Sequence, residues 1–210
     1  MVSTGSVCQV RLSLPDIFDF GQCLKFLDRN PDESLHQVEN RCLIKLIKLA
    51  GEAVIIHIST TPDHLIVEPL NGYLNELQKM ELSSFIAELF DLNRELNPYY
   101  SQMQKDPIMG NLCRHYYGLR LLGIPDLFEA LCWCIIGQQI NLNFAYRLKK
   151  RLVQAVGEKL DHQGKEYYAF PAPEVISGMS IKDFSQWQYS TSKAAYIIGV
   201  AQQMQTIQRP

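Results

Sequence analysis

Gln138, Gln139 and Asn141 place three amide side chains within four residues, where a long apolar pattern breaks off. A side-chain amide donates and accepts at once, so a cluster of them suits the edges of stacked, hydrogen-bonded units better than a core. The whole segment reads Gly137-Gln138-Gln139-Ile140-Asn141, and a basic run follows directly, with Arg147, Lys150, Arg151 and Gln154 at i, i+3, i+4 and i+7. Such spacing puts the cations on one helix face. Amides beside a cationic stripe suit a finger that enters a stacked polymer and follows a phosphate backbone. Spacing alone equally describes a tight helix-helix corner with a solvated polar face.

The flanking elements must position these residues. Phe128, Leu131, Cys132, Ile135 and Ile136 carry the stripe of a core-packed helix over 126–136. Asp126 is its predicted cap, with Glu129 three residues on as a capping-box-like partner. Gly137 is expected to take the left-handed conformation that ends the helix. Asn141 is then the predicted N-cap of a helix over 142–156, buried through Ala145, Leu148, Leu152 and Val156. Free amides at that N-terminus favour anions.

Composition narrows the class. With 210 residues, 47% hydrophobic and 20% charged, the chain reads as an ordinary globular protein of one or two domains. No stretch approaches the roughly 18 apolar residues of a membrane span. The first ten residues lack the basic and apolar regions of a secretory signal, so a cytoplasmic location is expected. Cysteines at 8, 23, 42, 113, 132 and 134 follow no framework spacing and read as reduced thiols. Cys113-x-His115 and Cys132-x-Cys134 invite a zinc reading. Residues two apart on a helix diverge by roughly 200°, however, and cannot chelate one ion. No nucleophilic serine or lysine constellation stands out either.

A net charge of −2 conceals an asymmetry. Between 61 and 100 Asp63, Glu68, Glu76, Glu81, Glu88, Asp91 and Glu95 outweigh Lys79 and Arg94. Between 113 and 151 Arg114, Arg120, Arg147, Lys149, Lys150 and Arg151 oppose only Asp126 and Glu129. Periodicity divides the chain similarly. Residues 1–97 read as an α+β domain: a strand alternating from Cys8 to Leu14, a helix over 18–27, a hairpin of 41–49 and 53–58 across Ala50-Gly51-Glu52, a strand over 65–70 and a helix over 73–92. Residues 98–210 read as all-helical, with segments near 98–105, 111–115, 126–136, 142–156, 173–177, 181–187 and 192–207. In the last of these Ala194, Ile197, Ile198 and Ala201 form an apolar stripe that needs a partner.

Gly118-Leu119-Arg120, Ile124-Pro125-Asp126-Leu127-Phe128-Glu129-Ala130-Leu131 and Ile136-Gly137-Gln138-Gln139-Ile140-Asn141 together resemble the alkylation-repair 3-methyladenine DNA glycosylases of bacteria. Phe170-Pro171-Ala172-Pro173-Glu174 and Ser192-Lys193-Ala194 match the same pattern in the same order. These enzymes belong to the helix-hairpin-helix superfamily. The resemblance implies a front domain like half of the TATA-binding protein, followed by an all-helical glycosylase domain. It implies extrusion of an alkylated purine from double-stranded DNA and hydrolysis of its N-glycosidic bond, without metal or organic cofactor. Gln138, Gln139, Ile140 and Asn141 would enter the minor groove, with Gln139 filling the space left by the flipped nucleotide. Arg147, Lys150 and Arg151 would contact phosphates. Phe26 matches an aromatic of the base pocket, although by its own context it is equally a core phenylalanine of an amphipathic helix.

The family's hairpin, with a Gly-x-Gly pattern, and its catalytic aspartate are expected downstream of the 192–207 helix. This chain contains no Gly-x-Gly, so the helical domain is expected to be incomplete and no catalytic residue is assigned in it. Asp183 and Glu174 precede the expected hairpin and do not take the role. A non-catalytic DNA-binding module and an inactive scaffold, self-associating through an exposed helical face, are the alternatives. The resemblance also implies a place at the nucleoid.

Overall fold

The computed structural model describes residues 9–206. In the front part, alternating apolar and β-branched residues form β1 (Val10–Ser13), β2 (His36–Glu39), β3 (Cys42–Leu49), β4 (Glu52–Thr60) and β5 (His64–Pro69). They make one five-stranded sheet in the order β1-β5-β4-β3-β2. Both β1 and β4 run antiparallel to β5, with Val10 and Ile58 each opposite Val67. Predicted Cys8 lies outside the described residues, and β2 escaped the periodicity because none of its residues is fully buried. The β3–β4 turn is the expected one, with Ala50 at φ 49 and Gly51 at φ 83. Helix α1 (Phe20–Leu27) starts where the Asp19 carboxylate accepts from the Gln22 amide at 2.9 Å. Helix α2 (Glu76–Leu89) starts with a capping box between Asn75 and Gln78 and packs on β1.

Two compact units divide the chain. Among the described residues, one comprises 9–29, 38–44 and 48–123; the other comprises 30–37, 45–47 and 124–206. Periodicity instead places the change of character at 97/98. The difference lies in α3 (Asn97–Met103) and α4 (Pro107–His115), which are helical but belong to the first unit. Tyr100 and Cys113 close a small cluster with Ile17, and the Tyr100 hydroxyl accepts from the Gly118 amide at 3.1 Å. Gly118 itself stands at φ 80, and a Cβ there would lie 2.6 Å from the Asp19 nitrogen. Only glycine fits that crossing.

The second unit contains α5 (Leu127–Gly137), α6 (Leu142–Val156), β6 (Glu158–His162), β7 (Lys165–Ala169), α7 (Pro173–Ser177), α8 (Ile181–Ser185) and α9 (Thr191–Thr206). Its core joins Phe128, Cys132 and Ile136 of α5 to Leu148 and Leu152 of α6, with Phe184, Ile197 and Ala201 closing the far side. The α9 stripe thus finds its partner within the unit. The β6–β7 hairpin corrects the all-helical expectation for 98–210. Its strands are mostly polar, which hid the alternation, but Gln163 (φ 52) and Gly164 (φ 77) form the two-residue turn that favours a hairpin.

A buried ion pair ties residues 30–37 into this unit. Lys149 Nζ lies 2.7 Å from Glu33 Oε2, with both side chains at most 10% exposed. Glu33 Oε1 also accepts from the Ser34 and Leu35 amides at 2.8 Å each. Burial by itself would raise the Glu33 carboxyl, but Lys149, His36 and these hydrogen bonds prevail and hold it at about 2. The folded value lies below the ordinary 4.5, so the stabilisation is complete above that value and is lost as pH falls toward 2. Glu33→Gln is expected to cost on the order of 3 kcal/mol at pH 7 and to flatten the acid limb between pH 5 and 2. Urea unfolding across that window measures both; an unchanged acid limb would exclude the ion pair as its source.

Candidate nucleic-acid interface

The 137–141 segment leaves α5 in a way the apolar pattern did not anticipate. Gly137 stays helical, Gln138 is extended at φ −63 and ψ 129, and the left-handed residue is Gln139 at φ 57. The expected glycine turn is absent because its usual task, satisfying the last helical carbonyls, falls to another group. Lys193 Nζ, in the first turn of α9, donates to Ile135 O at 2.9 Å, Ile136 O at 3.0 Å and Gln138 O at 2.7 Å. Partial burial lowers the Lys193 ammonium from its ordinary value. On the other side Asn141 Oδ1 accepts from the Phe144 amide at 2.9 Å, the predicted cap of α6.

Gln138, Gln139 and Asn141 are exposed. Ile140 is not: it is half-buried and packs against the core of the unit, so it anchors the loop. Asp126 caps α5 by accepting from the Glu129 amide at 2.7 Å. Burial pushes the Glu129 carboxyl up against the opposing pull of Lys45 and Lys149.

The cationic stripe is smaller than the sequence implied. Arg147 is exposed, its guanidinium 5.5 Å from the Phe144 ring centroid. Lys150 Nζ is paired with Asp32 Oδ1 at 3.0 Å. Arg151 donates to Gln188 Oε1 at 2.5 Å and to Trp187 O at 3.4 Å, which ties α6 to the end of α8. Two more cations of the basic segment are buried: Lys149 with Glu33, and Arg120, which donates to Arg94 O at 2.6 Å. Of the three expected phosphate contacts, Lys150 and Arg151 would first have to leave Asp32 and Gln188, whereas Arg147 lies exposed beside the Phe144 ring. Charge counting along a sequence cannot see acceptors that arrive from residues more than 30 positions away.

Phe26, in the first unit, is 41% exposed at the end of α1 and therefore is not a core residue. It borders a cleft of about 250 Å³ with Gln22, Lys25, His115, Tyr116 and Leu119. The Arg29 guanidinium lies 3.7 Å from its ring centroid and donates to Phe26 O at 2.7 Å. Its ring face thus accepts a planar cation. Cys132 is buried and Cys134 exposed, on different sides of α5. Among the described residues no group of three or more His, Cys, Asp or Glu side chains could hold a metal ion, and no helix is long and apolar enough to cross a membrane. Lys193 is the residue whose part sequence reasoning missed. Its bonds to α5 span 55 to 58 positions, and although Ser192-Lys193-Ala194 matched the family pattern, nothing local said what the lysine would hold.

The 8-oxoguanine DNA glycosylase N-terminal domain family matches residues 6–131, and the HhH-GPD superfamily of base excision DNA repair proteins matches 132–210. The chain belongs to the 8-oxoguanine DNA glycosylase N-terminal domain family, with an HhH-GPD segment following that domain. The DNA-3-methyladenine glycosylase of Bacillus subtilis is 38% identical over 196 residues, which are 92% of this chain and 65% of that protein. DNA-3-methyladenine glycosylase 2 of Escherichia coli is 36% identical over 92 residues, 44% of this chain and 30% of its own length. Among solved structures, a 3-methyladenine DNA glycosylase from Archaeoglobus fulgidus superposes with TM-score 0.78 at 23% identity, over 91% of this chain and 65% of that one. The 8-oxoguanine glycosylase/lyase of Clostridium acetobutylicum, solved with double-stranded DNA, superposes with TM-score 0.65 at 18% identity, over 94% and 65%. The chain thus spans just under two thirds of the length of the Bacillus and Archaeoglobus relatives. The α+β order, sheet first and helices after, is the expected one. The HhH-GPD part includes both the 137–141 loop and Lys193.

A glutamine at φ 57 is held in a region that favours glycine. Gln139→Gly is expected to be more stable than Gln139→Ala by about 1 kcal/mol, because glycine relieves the left-handed backbone. Thermal melts of the two variants check this; equal midpoints would mean that the loop relaxes freely.

Proposed function

We propose that the protein is a DNA-3-methyladenine glycosylase of base excision repair, and that this chain supplies the sheet unit and the DNA-entering loop. The observation that carries the reading is 38% identity, across 92% of the chain, to a relative of that name. The site chemistry supports it. Extruding a nucleotide costs a few kcal/mol of stacking and pairing, and a plug in the gap offsets part of that. Gln139 fits the plug: it is exposed on a loop whose two ends are hydrogen-bonded, and its amide can engage the orphaned base. Arg147, beside the N-terminus of α6, fits a phosphate. N-alkylation puts positive charge on a purine, which eases departure from C1′ and favours an aromatic face. Phe26 fits that face: its ring is exposed beside a cleft, and the Arg29 guanidinium now over it would have to move aside for the purine. As the C–N bond breaks its electron pair leaves with the purine, which becomes neutral; water bonds to C1′ and releases a proton to solvent, and a carboxylate stabilises the cationic sugar, a task assigned to no carboxylate of this chain.

Excision of neutral 8-oxoguanine is a second reading, favoured by the family that matches the front unit. The 38% identity to a relative named for 3-methyladenine favours the first reading. Self-association is proposed through a groove of about 600 Å³ between α5 and α9, where Leu131 and Tyr196 stand exposed beside Gln138.

Base release is to be measured on duplexes carrying 3-methyladenine or 8-oxoguanine, with the chain itself and with a form extended past Pro210 by the corresponding remainder of the Bacillus relative. Release of 3-methyladenine by the extended form is expected; release of 8-oxoguanine alone would establish the second reading, and release of neither would end the enzyme reading. Gln139→Ala is expected to weaken binding to an abasic-site duplex more than to an intact one. Arg147→Ala is expected to lower the salt slope of binding by about 1, whereas Lys150→Ala and Arg151→Ala chiefly lower stability. Salt titrations in which all three act alike would remove Arg147 from its special place.

A further inference from the structure

We propose that Lys193 is a positioning residue: its ammonium clamps the end of α5 and so presents Gln139 for insertion into DNA, an inference that rests on the base-flipping reading. All three ammonium protons are used, on Ile135 O, Ile136 O and Gln138 O at 2.7 to 3.0 Å. The bond to Gln138 O is the shortest of the three. It sets the orientation of the peptide between Gln138 and Gln139, and that orientation determines where the left-handed Gln139 at φ 57 directs its side chain. The clamp does not depend on the loop for its own position. Lys193 sits in the first turn of α9, its amide donating to Ser190 Oγ at 3.3 Å, and α9 is anchored through fully buried Ala194, Ile197 and Ala201.

Charge gives the clamp a second role at the same place. The C-terminus of a helix carries about half a negative charge on its free carbonyls, a poor surface to offer a polyanion. Here that end adjoins the very loop that must approach DNA, and Lys193 neutralises it from beneath. A cation held by three carbonyls is committed to the protein, so its effect on DNA is exerted through the loop.

Three variants test the clamp: Lys193→Met, which keeps length without donors; Lys193→Arg, which keeps charge and donors; and Gln139→Ala, which removes the plug alone. Two quantities are read: amide hydrogen exchange at 138–142, and the ratio of affinities for abasic-site and intact duplex. Lys193→Met is expected to speed loop exchange roughly tenfold or more, in keeping with the loss of a charge-assisted bond. It should also lose most of the abasic-site preference, while Lys193→Arg restores both. Gln139→Ala should lose the preference without changing the exchange. If Lys193→Met leaves loop exchange unchanged, or speeds it while the abasic-site preference survives, the proposal is overturned. If the wild-type chain shows no abasic-site preference, the base-flipping reading fails and this use of Lys193 fails with it, whereas faster exchange would still establish the clamp on its own. Should Lys193→Met not fold, Lys193→Gln is read in its place by the same two criteria.

Discussion

A helix that stops inside a packed unit leaves carbonyl oxygens without amides to receive, and water or a substitute donor must reach them. At the end of α5 the substitute is the Lys193 ammonium, which takes two of those oxygens, Ile135 O and Ile136 O, together with Gln138 O of the cap. Much of the exposed side of the second unit follows from this. Because the carbonyls are satisfied from α9, the chain can turn through an extended Gln138 and a left-handed Gln139 rather than through a glycine. Because the turn is that short, Asn141 is already in place to cap α6. Ile140, between them, packs into the core and keeps the loop attached. The amides are exposed as a consequence of how the backbone is held.

The second constraint is the consumption of charge. A near-neutral chain with a basic middle segment reads as a local phosphate-binding surface, yet most of those cations are engaged inside the fold. Lys149 sits over Trp133 and Tyr146 while paired with Glu33, an arrangement that holds two charges out of water only because both are fully partnered. What the loop's surroundings present is therefore a helix N-terminus, exposed amides and Arg147 rather than a broad positive field. Such a surface discriminates by fit more than by long-range attraction.

Much of the architecture was legible from local signals. Alternation located β1, β3, β4 and β5 to within a few residues, and helical spacing with a Pro or Asx start located α5, α6 and α7 almost to the residue. Caps at Asp126 and Asn141 were readable because an N-cap is a contact between residues three apart. The β6–β7 hairpin was not, because its strands carry little apolar contrast. Nor was the membership of α3 and α4, because helical periodicity says that a face is buried without saying what buries it.

By itself the sequence determined that amides follow an apolar helix at 138–141, that Asn141 starts the next helix, and that the whole resembles an alkylation-repair glycosylase, which the family matches bear out. Those properties are set within a turn or two of chain, or by residue identity. Only the tertiary structure decided which cations of the basic segment remain unpaired with a carboxylate or carbonyl, that Ile140 anchors while Gln139 bears the left-handed turn, that Phe26 is exposed under a planar cation, and that Lys193 closes α5. Each of these depends on hydrogen bonds, ion pairs or packing that join separate elements, and no local pattern encodes where such partners will meet.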